Sequence, residues 1–116
     1  MARDPDCIFC RIVTGEIPAE FAYRDDEAIA IADANPQAPQ HLLVIPTKHV
    51  PNIAALQASE EGAAVAKLFA IAADLGRKHA AAGFRLVVNT GPDGGQTVDH
   101  VHVHVLAGRE MRWPPG

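Results

Sequence analysis

Residues 100–105 read His-Val-His-Val-His-Val, and strict alternation of polar and apolar side chains over six positions fits a β-strand lying on a core. Successive side chains of a strand face opposite ways. Val101, Val103 and Val105 therefore point into the core, while His100, His102 and His104 line the other face. Consecutive histidines sit roughly 6.6 Å apart and the outer two roughly 13 Å. Metal–nitrogen bonds are only about 2 Å, so one ion does not easily hold His100 and His104 together. A row of neutral imidazoles offers instead nucleophiles and proton carriers that work near neutral pH.

The remaining pattern supplies partners for that strand. Residues 7–14 (CIFCRIVT) are a short apolar stretch ended by Gly15 and Pro18, read as one or two helical turns. FAYRD at 21–25 and AIAIAD at 28–33 read as a hairpin, and HLLVIP at 41–46 as a buried strand. A long helix is expected from near Ser59, whose hydroxyl can cap it, with Glu60 and Glu61 suiting its positive end. Val65, Leu68, Phe69, Ala72 and Leu75 form its core face, Arg77, Lys78 and His79 its last turn, and Gly83 its stop. FRLVVNT at 84–90 is the fourth strand and 100–107 the fifth. The expected class is α+β: a five-stranded, mainly antiparallel sheet with one long helix and a short N-terminal helix. The chain of 116 residues makes one domain, 1–116.

Composition narrows the partners. Ten Lys and Arg against fourteen Asp and Glu give a net charge of −4, which argues against general affinity for nucleic-acid backbones. No apolar run reaches the ~20 residues of a membrane span. Met1 to Asp6 carry Arg3, Asp4 and Asp6 and lack a signal-peptide core. Two cysteines three positions apart make no secreted disulfide framework, so a reducing, cytoplasmic setting is expected. Cys7 and Cys10 can be half of a zinc site, a redox pair or two small buried residues, and no thioredoxin-like pattern surrounds them to favour the redox pair.

Before the histidine strand lies Gly91-Pro92-Asp93-Gly94-Gly95-Gln96-Thr97. Backbone amides at Gly94 and Gly95 can approach an anion closely, and Gln96, Thr97 and the nearby Asn89 add donors. Beside the histidines this becomes a phosphate cradle. A phosphate across that face could be attacked by one ring while a neighbour protonates the leaving group.

HVHVHVLA closely resembles the histidine-triad signature, His-φ-His-φ-His-φ-φ with φ apolar. IFCRIVTGEIPA, DANPQAPQHLLVIPTKH, FRLVVNTGPDGGQTVDHVHVHVLAGR and the terminal WPPG extend the resemblance, in matching order, to the nucleotide-binding branch of the histidine triad family. The resemblance implies a five-stranded sheet that becomes ten-stranded in a homodimer. It implies His102 as nucleophile on the α-phosphorus of a purine nucleoside phosphoramidate or acyl-nucleotide, with a nucleotidyl-imidazole hydrolysed to release AMP. His104 matches a phosphate contact near the leaving group, and His41 the histidine that organises the nucleophile. One nitrogen of His102 must then donate a hydrogen bond, with a strand carbonyl as acceptor, so that the other stays free.

Asn89, Gly95, Gln96 and Thr97 match phosphate contacts, and Asp33 the ribose acceptor. Ala34 stands where the family often has Ile, and Ile31 where Phe is common. Ile8, Phe9, Ile12, Ile17 and Ile31 match the walls of the base pocket. Trp113, in the tail 109–116, matches a residue that reaches the partner's site. Structural zinc at Cys7, Cys10, His49 and His100 follows from members that complete the site with those positions; no organic cofactor is implied. Two further activities use the same residues: dinucleoside polyphosphate hydrolysis in a sister branch, and nucleotide-responsive scaffolding without chemistry.

Overall fold

Antiparallel pairing in the order β1-β2-β3-β5-β4 joins five strands into one sheet in the computed structural model, which describes residues 3–116. The strands are β1 (Tyr23–Arg24), β2 (Ala28–Ala32), β3 (Gln40–Pro46), β4 (Phe84–Val87) and β5 (Val103–Ala107), with helices α1 (Ile8–Val13), α2 (Ile53–Ala58) and α3 (Ala64–His79). Met1 and Ala2, which open the expected 1–116 domain and its N-terminal segment, lie outside the described residues.

The sheet separates two cores because its residues alternate. Ala28, Ala30, Leu42, Val44, Val103 and Val105 pack with Leu56 of α2 and Leu68, Ile71, Ala72 and Leu75 of α3. Ile29, Ile31, Leu43 and Ile45 face the other way, onto Phe9, Cys10, Ile12 and Val13 of α1. Complete burial of a valine such as Val103 contributes about 1.5–3 kcal/mol, so the apolar half of the histidine–valine alternation anchors β5.

Several boundaries differ from expectation. Ser59 does not cap a long helix: it closes α2, its hydroxyl donating to the Leu56 carbonyl and accepting from the Glu61 amide. The N-cap is Asn52, whose side chain accepts from the Ala55 amide at 2.8 Å. A turn over 60–63 then separates α2 from α3, which starts at Ala64. The hairpin strand expected at 21–25 shortens to two residues, and that at 84–90 to four. Strand β5 begins at Val103 because the β3 ladder ends there, with Val44 opposite Val103. Upstream, Val101 still pairs locally, its amide donating to the Val50 carbonyl at 2.8 Å.

Candidate active site

Register brings the histidines together. Leu43 lies opposite His104 and His41 opposite Leu106, so His41 and His104 are diagonal neighbours on the α1 face of the sheet. His100, His102 and His41 are buried and His104 half-buried. The row keeps the one-sided arrangement that the alternation predicts, although only His104 lies within β5 proper.

Hydrogen bonds fix where the ring protons sit. His102 Nδ1 is 2.8 Å from the His100 carbonyl oxygen; only an N–H can make that bond, so Nδ1 carries the proton and Nε2 keeps a free lone pair. The Gln37 amide donates to His41 Nδ1 at 3.0 Å, so the His41 proton resides on Nε2. That N–H faces His104 Nδ1 at 2.9 Å, which must therefore accept, leaving the His104 proton on Nε2. Burial, with His102 and His41 adding to it, pushes His104 down to about 4 and keeps the ring neutral. With ring centres 5.0 Å apart, His102 and His104 present an unprotonated nitrogen beside an N–H donor.

Asp33 Oδ2 stands 3.4 Å from His41 Nε2, while its Oδ1 accepts from the Asn35 amide at 2.8 Å. Asp33, His41 and His104 could by distance hold an ion. The proton that Gln37 places on His41 Nε2 goes to His104 at 2.9 Å, and the Asp33 carboxylate flanks the same nitrogen at 3.4 Å.

Of the apolar residues expected to wall a base, Phe9, Ile12, Ile17 and Ile31 share the α1-side core, and Ile8 is exposed. Phe9 meets the His102 ring edge-on at 5.2 Å and the His100 ring at 5.8 Å. Ala34 is exposed on the loop after β2. Asn89 lies just beyond β4, half-buried.

The loop 91–97 is held by Gln96, whose amide nitrogen donates to the Pro51 and Val98 carbonyls and whose oxygen accepts from the Gly91 amide. Both Gln96 side-chain protons are therefore engaged, and its expected donation to phosphate gives way to bracing the loop. A Cβ at Gly94 would lie 2.3 Å from the Thr90 carbonyl oxygen, and Gly95 has φ +80°, so the loop's path requires both glycines. Gly95 and Thr97 are exposed. Trp113 is 82% exposed, clear of the chain's own core.

The second cluster joins α1 to the triad strand. Cys7, Cys10, His49 and His100 offer ligand atoms within 4.8 Å of one another. His100 donates Nε2–H to the Pro46 carbonyl at 2.8 Å, which turns a bare Nδ1 toward Cys7 Sγ at 3.3 Å and Cys10 Sγ at 3.5 Å. His49 Nδ1 is 3.4 Å from Cys10 Sγ, and the Asp4 amide points at the same sulfur at 3.3 Å. A tetrahedral ion with Zn–S near ~2.3 Å and Zn–N near ~2.05 Å places sulfur and nitrogen about 3.5 Å apart. The donor set fits such an ion. Burial pushes the Cys10 thiol up and His100 down to about 4.

The HIT domain profile matches residues 14–111. The chain belongs to the HIT domain family. HIT-like proteins of Synechococcus elongatus and of a Synechocystis strain are 43% and 46% identical to it, over 96% of this chain and 97% of each relative. A HIT family hydrolase from Legionella pneumophila superposes with a TM-score of 0.90 at 42% identity, covering 96% of this chain and all of that chain. A zinc-bound histidine triad family protein from Mycobacterium smegmatis superposes at 0.78 with 34% identity, over 90% of this chain and 76% of that one. The HIT-type sheet and helices are thus shared, and the likeness is to hydrolases. No helix of the described residues is long and apolar enough to cross a membrane.

Proposed function

We propose that this HIT domain hydrolyses purine nucleoside 5′-phosphoramidates, such as an adenosine phosphoramidate, through a covalent nucleotidyl-histidine on His102. The observation that carries the reading is the paired ring state: a bare Nε2 on His102 and an Nε2–H on His104, whose ring centre lies 5.0 Å away. The bare nitrogen attacks the α-phosphorus as the P–N bond to the amine breaks. The amine leaves with that electron pair and a proton from solvent. His104 donates to the phosphoryl group near the departing amine, and His41 holds His104 in the donor state. Water then cleaves the P–N bond to His102, releasing AMP and restoring the ring.

Gly95, Thr97 and Asn89 surround the phosphate in this reading, and Asp33 takes the ribose hydroxyls. Ile8 and the rims of Phe9, Ile12, Ile17, Ile31 and Ala34 flank the base. A second copy pairs along β4, a sheet edge half-exposed over its whole length, to give ten strands. The tail 109–116 then carries Trp113 toward the partner's site. Cys7, Cys10, His49 and His100 hold a structural zinc ion, which supplies folding energy and no open position for catalysis.

Purified protein and a His102→Ala variant, each mixed with adenosine 5′-phosphoramidate, test the assignment by AMP release. The variant is expected to lose turnover by orders of magnitude. Equal release from both would remove His102 from the mechanism.

A further inference from the structure

The His104 donor state is set by the Gln37 backbone amide at His41 Nδ1, with the Asp33 carboxylate 3.4 Å from His41 Nε2 favouring the same tautomer, and the fold holds Gln37 from outside. The loop between β2 and β3 contains Pro36 and Pro39. Each fixes its own φ, and Pro39 drives Ala38 toward extended backbone. Gln37 lies between them with no proline restriction of its own, and its side-chain amide donates to the Asn35 carbonyl at 3.1 Å. Its backbone amide donates to His41 Nδ1, while its carbonyl accepts from Arg109 Nε at 3.0 Å. A second guanidinium nitrogen, Nη1 of Arg109, donates to the Glu110 carbonyl at 3.1 Å, so the fork is held at two points. No carboxylate of the described residues forms an ion pair with Arg109. Gly108 makes the reach possible: it has φ +94°, and a Cβ there would lie 2.9 Å from Pro39 Cβ. The chain leaving β5 thus packs directly on the proline loop.

We infer that Arg109 is a positioning residue that fixes the proton of His104 at Nε2 through Gln37 and His41. This rests on the reading of His102 and His104 given above. When the Gln37 amide faces Nδ1, His41 can only donate from Nε2 and His104 can only accept at Nδ1. When that amide turns away, His41 can carry its proton on Nδ1. Its Nε2 then accepts, and His104 must donate from Nδ1. The His104 Nε2 facing the phosphoryl group becomes a lone pair, and the donor is lost.

Imidazole tautomers read by long-range 1H–15N spectra of 15N-histidine protein at neutral pH test this without substrate. Wild-type His41 and His104 are each expected as Nε2–H. In Arg109→Ala both become mixtures, kcat for adenosine phosphoramidate falls about fivefold, as loss of one modest hydrogen bond allows, and KM stays within about twofold. Arg109→Lys keeps the charge without the planar fork and is expected to behave like Arg109→Ala. Unchanged tautomers in Arg109→Ala would overturn the inference. So would full rescue by Arg109→Lys, which would make the effect one of charge on an anionic substrate. Absence of phosphoramidate turnover in wild type counts against the proposed function, and the tautomer spectra still decide the role of Arg109.

Discussion

Replacing Cys7 and Cys10 together by serine removes both thiolates from the proposed zinc site, and the expected cost can be worked from chain topology. An ion there would tie Cys7 to His100, 93 positions away, and Cys10 to His49, 39 away. Closing loops of those lengths restricts the unfolded chain by about 4–5 kcal/mol on the chain-entropy estimate. Bound metal reproduces part of that, so about 2–4 kcal/mol is expected, or roughly 8–16 °C in Tm for a domain of this size. What loosens first is α1, a six-residue helix too short to persist alone. It remains attached through Phe9, Ile12 and Val13 against Ile29, Ile31 and Leu43. His102 is not among the four ligands, so turnover below the melting transition persists in the double variant. Elemental analysis of protein made without a histidine tag, with melting curves of wild type and variant, gives the answer. Less than about one-tenth zinc per chain with an unchanged Tm would refute the site and leave the cysteines as packing.

Other expected outcomes address separate parts of the account. Gly76→Ala should lower Tm by several degrees although alanine favours a helix by about 1 kcal/mol, because its Cβ would lie 2.5 Å from the Phe84 ring; a rise in Tm would contradict that contact. His104 sits at about 4 in the folded chain against an ordinary 6.5. The unfolded chain therefore binds the extra proton between those values, and stability attributable to His104 is full above pH 6.5 and lost as pH falls toward 4. His104→Gln should flatten that part of a urea-midpoint profile, and identical profiles would refute the assignment. Asn52→Ala removes the α2 cap and should cost about 1 kcal/mol in urea unfolding, with AMP release unchanged.

The sequence made legible what depends on local period. The alternation at 100–105 assigned the valines to one side and the histidines to the other, and Val101, Val103 and Val105 are indeed buried against the α2–α3 side. The five strands were legible for the same reason. Helix boundaries were less so: Ser59 with two following glutamates imitates an N-cap, yet its hydroxyl bonds backward to Leu56. Pro51-Asn52-Ile53 held the correct signal, a capping asparagine before an apolar run. Contacts made across sequence distance were not legible. Nothing in NPQAPQH indicates that the Gln37 amide meets an imidazole, or that His41 meets a ring 63 positions on. Gln96 looked like a phosphate donor by residue type, but its amide is consumed by a carbonyl 45 positions upstream. The placement of Cys7 and Cys10 beside His49 and His100 came from family resemblance, and spacing alone left it open.

The central claim is that His102 carries the nucleotide covalently. Rapid mixing of the protein with adenosine 5′-phosphoramidate, an acid-free quench within one turnover and intact-mass measurement address it directly, with the adduct then located by fragmentation. The account predicts one adenylyl group per chain on His102, absent from His102→Ala and disappearing as AMP is released. Steady AMP release with no adduct at any quench time, or an adduct on a residue other than His102, would contradict it.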